Sequence, residues 1–193
     1  MGYSTDFYGG FTFDNPVSKE IKNYINKFSE IRHMKRDVEK IKEVYPNWRD
    51  LCFNGDLGND GAYFIGGGQW DYIPGTDNVD ESIENGNYPG GDCPGLWCQW
   101  IIYEDMLQWD GGEKFYHYEE WLKYLIDNFI EPSGYLLNGE VEWRGEDYDD
   151  VGTIVVVNNR IEMKYGVLTS GIAHISTEDL IAELEHRGYT VQN

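Results

Sequence analysis

Between Trp97 and Asp147 the chain crowds tryptophan, tyrosine, glycine and carboxylates into one stretch. Three pieces carry it: Trp97-Cys98-Gln99-Trp100, then Trp109-Asp110-Gly111-Gly112-Glu113-Lys114-Phe115-Tyr116, then Leu137 to Asp147. Together they hold four of the seven tryptophans. Rings of this size bring large apolar area and strict geometry. A chain that concentrates them must bury them in an extensive core or display them to grip something. At 193 residues the chain is long enough to build such a core without staples.

The periodicity around the rings says how that core is assembled. Phe7, Gly9, Phe11 and Phe13 alternate with Tyr8, Gly10 and Thr12, the period of a strand with one aromatic face. Asn15-Pro16 supplies a cap and a first helical residue, and Val17, Ile21, Tyr24, Ile25, Phe28 and Ile31 follow at helical spacing. A shorter helix is expected from Asp37 to Val44, stopped by Tyr45-Pro46. From Leu96, the side chains of Trp97, Gln99, Ile101 and Tyr103 alternate with Cys98, Trp100 and Ile102. Apolar residues on both sides predict a strand covered on both faces, and Glu104-Asp105 turns it into a hairpin through Leu107 and Trp109. Phe115, Tyr118, Trp121, Leu122, Leu125, Ile126 and Phe129 mark a core helix that stops before Pro132.

Leu137, Gly139, Val141 and Trp143 then form one face of a strand whose other face is Asn138, Glu140, Glu142 and Arg144. Thr153 to Val157 and Arg160 to Val167 read as a hairpin closed by Asn158-Asn159, a type I′ composition. Ser176 or Thr177 caps a last helix with Leu180, Ile181 and Leu184, which Gly188 ends before a short strand from Tyr189 to Val191. The expected fold is α+β: a mostly antiparallel sheet of five or six strands with three or four helices packed mainly on one face. One domain spans residues 1–193, and residues 50–95 form a Gly-rich loop insertion within it, with eleven glycines and no apolar period. Asp56-x-Gly58-x-Asp60-Gly61 imitates a calcium loop but has Gly at the third position and Gly67 in place of the closing Glu.

Charge is distributed unevenly. Residues 1–49 carry nine Lys and Arg against seven Asp and Glu, whereas residues 50–193 carry six against 28. A surface this acidic disfavours direct nucleic-acid binding, which needs cations along the phosphates. It serves solubility, or it recruits a protein with a basic surface. Three cysteines make no even framework, and Cys93-x4-Cys98 lacks the partners of a zinc site, so reduced thiols and a cytoplasmic setting are expected. No segment approaches the roughly 20 apolar residues of a membrane span.

Catalytic constellations are weakly represented. Glu140 and Glu142 share a strand face, where two carboxylates can raise one pKa or hold a divalent cation. Asp110 and Glu113 flank the double glycine, and Glu146 and Asp147 crowd the next turn, but acidic residues at helix starts and turns have ordinary structural uses. Cys98 sits in an apolar strand, the setting of an inert core thiol. No nucleophile elbow, phosphate loop or dinucleotide fingerprint is present. The candidate binding residues are therefore Trp97, Trp100, Trp109, Asp110, Glu113, Tyr116, Glu140, Glu142, Glu146 and Asp147, with no catalytic residue, metal or cofactor assigned.

The start Gly2-Tyr3-Ser4-Thr5-Asp6-Phe7, the Leu96 to Trp100 strand, Trp109 to Tyr116 and Leu137 to Asp147 resemble an uncharacterised family found in phages and bacterial genomes. That resemblance implies a small cytoplasmic accessory protein, phage or prophage encoded, of the class that includes inhibitors of bacterial defence. The expected function is a non-enzymatic acidic protein that engages a basic surface of a host protein. Two alternatives stand beside it: a small-ligand binder with an aromatic pocket near Trp97, Trp109 and Tyr116, and a metal-dependent hydrolase using Glu140 and Glu142.

Overall fold

A computed structural model describes residues 2–67, 80–166 and 181 of the chain. Its backbone is an α+β arrangement built on one six-stranded antiparallel sheet, in the order β4-β5-β1-β6-β7-β8, with a two-stranded ribbon of β2 and β3 beside it. The strands are β1 Thr5–Phe13, β2 Met34–Arg36, β3 Ile83–Pro89, β4 Trp100–Tyr103, β5 Met106–Trp109, β6 Leu137–Gly145, β7 Val151–Val157 and β8 Arg160–Tyr165. The helices are α1 Lys19–Glu30, α2 Val38–Val44 and α3 Tyr118–Leu125.

Cross-strand register fixes which side chains share a face. Phe7 pairs with Trp143, Phe11 with Leu107 and Gly139, and Val141 with Ile154, so these residues and Trp100, Ile102 and Val156 point to one side. That side is the core, where Phe11, Trp100, Leu107, Trp143 and Ile154 are fully buried against Ile25 and Phe28 of α1 and Trp121, Leu122 and Leu125 of α3. The rings meet mostly edge to face, as Phe7 does with Trp100, Trp109, Phe115 and Tyr118, the arrangement their quadrupoles favour. Much of the described aromatic density is thus core, while Tyr8, Tyr103, Tyr116 and Tyr165 stay exposed.

Several expectations shift for local physical reasons. Helix α1 starts later than Asn15-Pro16, because Ser18 is the cap: its Oγ accepts the Ile21 N–H at 3.3 Å, while the Tyr135 hydroxyl accepts the Ser18 N–H. Asp37 caps α2 as its position predicts. The core helix begins only at Tyr118, with Phe115 entering the core from the preceding turn, and it ends in a π turn over Ile126–Ile130 that keeps Ile126, Phe129 and Ile130 buried. Asn158 and Asn159 both have positive φ, as a type I′ turn requires. The expected helix after Ser176 and the strand at 189–191 lie outside the described residues, apart from Ile181, which is helical.

The strand through Trp100 is not covered on both faces. It is an edge strand, and α1 lies along its free edge: Asn26 accepts the Ile102 N–H and donates to the Ile102 carbonyl, while Ser29 Oγ donates to the Trp100 carbonyl at 2.5 Å. Helix side chains therefore occupy backbone groups that could otherwise template another strand.

Within the stretch 50–95 the described residues are structured. Cys52, Leu57 and Phe64 join Ile41 of α2 in a small second core, and Phe53, Ala62, Ile65 and Cys93 reach the main one. β3 pairs with β2 through shifted register, and its side chains show no alternation because only Gly86 among them is buried. The ribbon is anchored by the buried pair of Arg36 and Asp80, 2.5 Å apart. Asp80 also accepts from the Tyr45 hydroxyl, the Ser82 N–H and the Ser82 hydroxyl. Burial pushes its pKa up, but these donors and Arg36 outweigh it and hold the carboxyl below its ordinary value.

Candidate functional site

The candidate residues separate into groups that the fold keeps apart. Trp100 is core, fully buried, with its indole N–H donated to the Tyr118 carbonyl at 2.9 Å, and it presents nothing to a partner. Trp109 packs on Phe7 and donates its N–H to Gln99 Oε1 and the Gly112 carbonyl, both at 3.1 Å. It braces the Asp110 to Glu113 turn instead of lining a cavity with Trp97 and Tyr116.

Glu140 and Glu142 lie on the face of β6 opposite the core, three strands from Trp97's end of the sheet. Glu140 is exposed and Glu142 is buried, so they do not form an open carboxylate pair. Among the described residues, no three or more His, Cys, Asp or Glu side chains are grouped to hold a metal ion. Glu146 accepts the Ser4 N–H at 2.8 Å, and Tyr3 binds the same turn by donating its hydroxyl to Asp150 and accepting the Asp147 N–H. These contacts tie the N-terminus to the acidic turn.

Trp97, Asp110 and Glu113 do come together. With Lys27 and Glu30 from the end of α1, and Gln99, they surround an open cleft of about 600 Å³ whose floor is Ser29 and Cys98. The His33 N–H bonds the Leu96 carbonyl at 3.0 Å and so holds the approach to β4 beside the end of α1. Gln99 then ties the opposite wall, donating to the Glu113 carbonyl while it accepts from Trp109. The Trp97 ring already carries one cation, the Arg32 guanidinium 5.7 Å from its centroid.

Asp110 opens to solvent at the mouth of this cleft, and its Oδ1 accepts the Gly112 N–H at 2.7 Å. Desolvation by the surrounding protein nevertheless raises its pKa, and the backbone hydrogen bonds only partly oppose this. The fold keeps a carboxylate where its charge is disfavoured, an arrangement that an incoming cation relieves. At the floor, burial pushes the Cys98 thiol up to about 12, so it is an apolar wall and not a nucleophile. Chemically, the cleft offers an aromatic ring and three carboxylates against one lysine, which Glu30 holds at 3.3 Å.

Tyr116, half exposed, faces a different cavity that shares only Trp97 with the first. Sequence reasoning missed Glu30, because its helical position reads as an ordinary solvent-facing residue. No protein family, curated protein or solved structure matches the chain. The class of protein is therefore set by fold and site alone: an acidic α+β domain with a carboxylate-lined aromatic cleft at the covered edge of its sheet. No helix among the described residues is long and apolar enough to cross a membrane.

Proposed function

We propose that this chain is a non-enzymatic binding protein, a phage-type accessory or inhibitor, that engages a basic surface of a host protein by taking a Lys or Arg side chain into the cleft beside Trp97. The observation that carries the reading is the convergence of Glu30, Asp110 and Glu113 on one aromatic wall in a chain of net charge -20. A guanidinium or ammonium there gains cation-π contact with Trp97 and donates charge-assisted hydrogen bonds to the carboxylates. The wider acidic surface steers a basic partner toward it.

The test is affinity capture from a bacterial lysate, with and without phage infection, by wild type and by two charge-reversed variants of verified fold. One variant carries Asp110→Lys and Glu113→Lys, the other Glu140→Lys and Asp147→Lys. A stoichiometric partner lost only in the first variant supports the cleft. Loss only in the second moves the contact to the outer face of β6, and no partner in any condition defeats the reading.

A further inference from the structure

On the far side of Trp97 lies a second cavity of about 400 Å³, walled by Pro94, Trp97, Lys114, Tyr116, His117 and Trp121. Its size is near the lower end of small-molecule sites. Its character is unlike that of the acidic cleft, since rings and prolines dominate its lining, which holds one lysine and no carboxylate. The Lys114 stem packs over Gly2. Two of the wall residues, Lys114 and His117, hold left-handed backbone that non-glycine residues adopt only when the surroundings impose it.

The decisive feature is at the base. Trp121 is fully buried, yet its indole N–H has no acceptor among the described residues. Buried donors are nearly always paired, because an orphan costs its full desolvation penalty. Directly over it stands Gly95, which is not in the left-handed region and has no backbone requirement for glycine. A Cβ built there would lie 3.6 Å from Trp121 Nε1 and 3.6 Å from His117 Cδ2. Glycine at position 95 thus puts no side chain between the indole N–H and the cavity, and a ligand oxygen that shifts the local packing slightly comes within hydrogen-bond distance of it.

We propose that this cavity binds a small planar aromatic molecule bearing a carbonyl or carboxylate oxygen, with the ring against Trp97 and Tyr116 and the oxygen accepting from the Trp121 N–H over Gly95. Aromatic walls supply the apolar contact, and one buried donor fixes the orientation. Lys114 favours the carboxylate form of such a ligand without being required for the neutral form.

The probes are 2-naphthoate and its neutral counterpart, 2-naphthamide, titrated into the full chain with nitrogen-15 labelled indoles. Saturable binding with a downfield shift of the Trp121 indole proton is expected for at least one probe. Gly95→Ala places only a methyl group at ordinary contact distance, so the fold persists while affinity falls about tenfold or more. Tighter binding of the naphthoate that is lost in Lys114→Met identifies an anionic ligand, and equal binding of both probes identifies a neutral one. Asp110→Asn and Glu113→Gln leave this binding unchanged, which separates it from the proposed protein-binding cleft. No movement of the Trp121 resonance with either probe, or binding indifferent to Gly95→Ala in a folded variant, overturns the proposal.

Discussion

Acidification should destabilise this protein in part through His33, whose share can be isolated. The imidazole is completely buried between the rings of Phe28 and Trp121, at 4.1 and 4.9 Å, and neither nitrogen has a hydrogen-bond partner of good geometry among the described residues. Burial drives its pKa from 6.5 down to about 3, opposed only weakly by the backbone of Phe28. The folded state therefore keeps His33 neutral between these values while the unfolded chain takes up a proton. Stability is complete above pH 6.5 and is lost as pH falls toward 3, at about 1.4 kcal/mol per unit.

By pH 4.5 the loss from this site amounts to about 3 kcal/mol, a large part of a typical domain's stability. His33→Leu has similar volume, removes two orphan nitrogens and has no proton to gain, so at pH 7.5 it is at least as stable as wild type. Urea unfolding followed by tryptophan fluorescence at several pH values measures both proteins. Their stabilities should diverge by about 3 kcal/mol between pH 7.5 and 4.5, since carboxylate contributions are common to both. Parallel curves over that interval would refute the assignment.

Asp80→Ala takes the carboxylate from a buried pair while Arg36 keeps the Ser82 hydroxyl as a partner, and should cost about 3 kcal/mol in chemical denaturation. In Gly152→Ala the new methyl would collide with the Trp143 indole and stand 2.6 Å from the Lys164 carbonyl, so a loss of about 3 kcal/mol or more is expected, with disturbed Trp143 fluorescence. Asp110→Asn should stabilise the isolated protein slightly at neutral pH, by under about 1 kcal/mol because solvent screens the site. That gain should disappear as pH falls through the raised pKa toward the ordinary carboxylate value, where wild type is neutral too. The same variant should weaken binding of an arginine-rich peptide, measured calorimetrically, if the cleft receives cations.

What local periodicity can carry, the sequence determined. The alternation of Phe7, Phe11 and Phe13, the helical spacing from Ile21 to Ile31, the Glu104-Asp105 and Asn158-Asn159 turns and the outer face of Glu140 and Glu142 are all short-range patterns, and each corresponds to an observed element. An α+β class follows from them, because strands and helices with single apolar faces must pack against each other.

Long-range geometry needed the tertiary structure. Trp97 and Trp100 look equivalent in the sequence, but Trp100 enters the core while Trp97 remains half-buried as the wall between two cavities, because α1 closes the edge of β4 and not its outer face. The β2–β3 ribbon has no period to read, since Arg36, Asp80 and Ser82 hold it in place of alternating apolar side chains. Glu30 meets Asp110 and Glu113 across about 80 residues of chain, and Gly95 settles over Trp121 Nε1. Those meetings depend on how separate elements pack, which no local pattern of residues encodes.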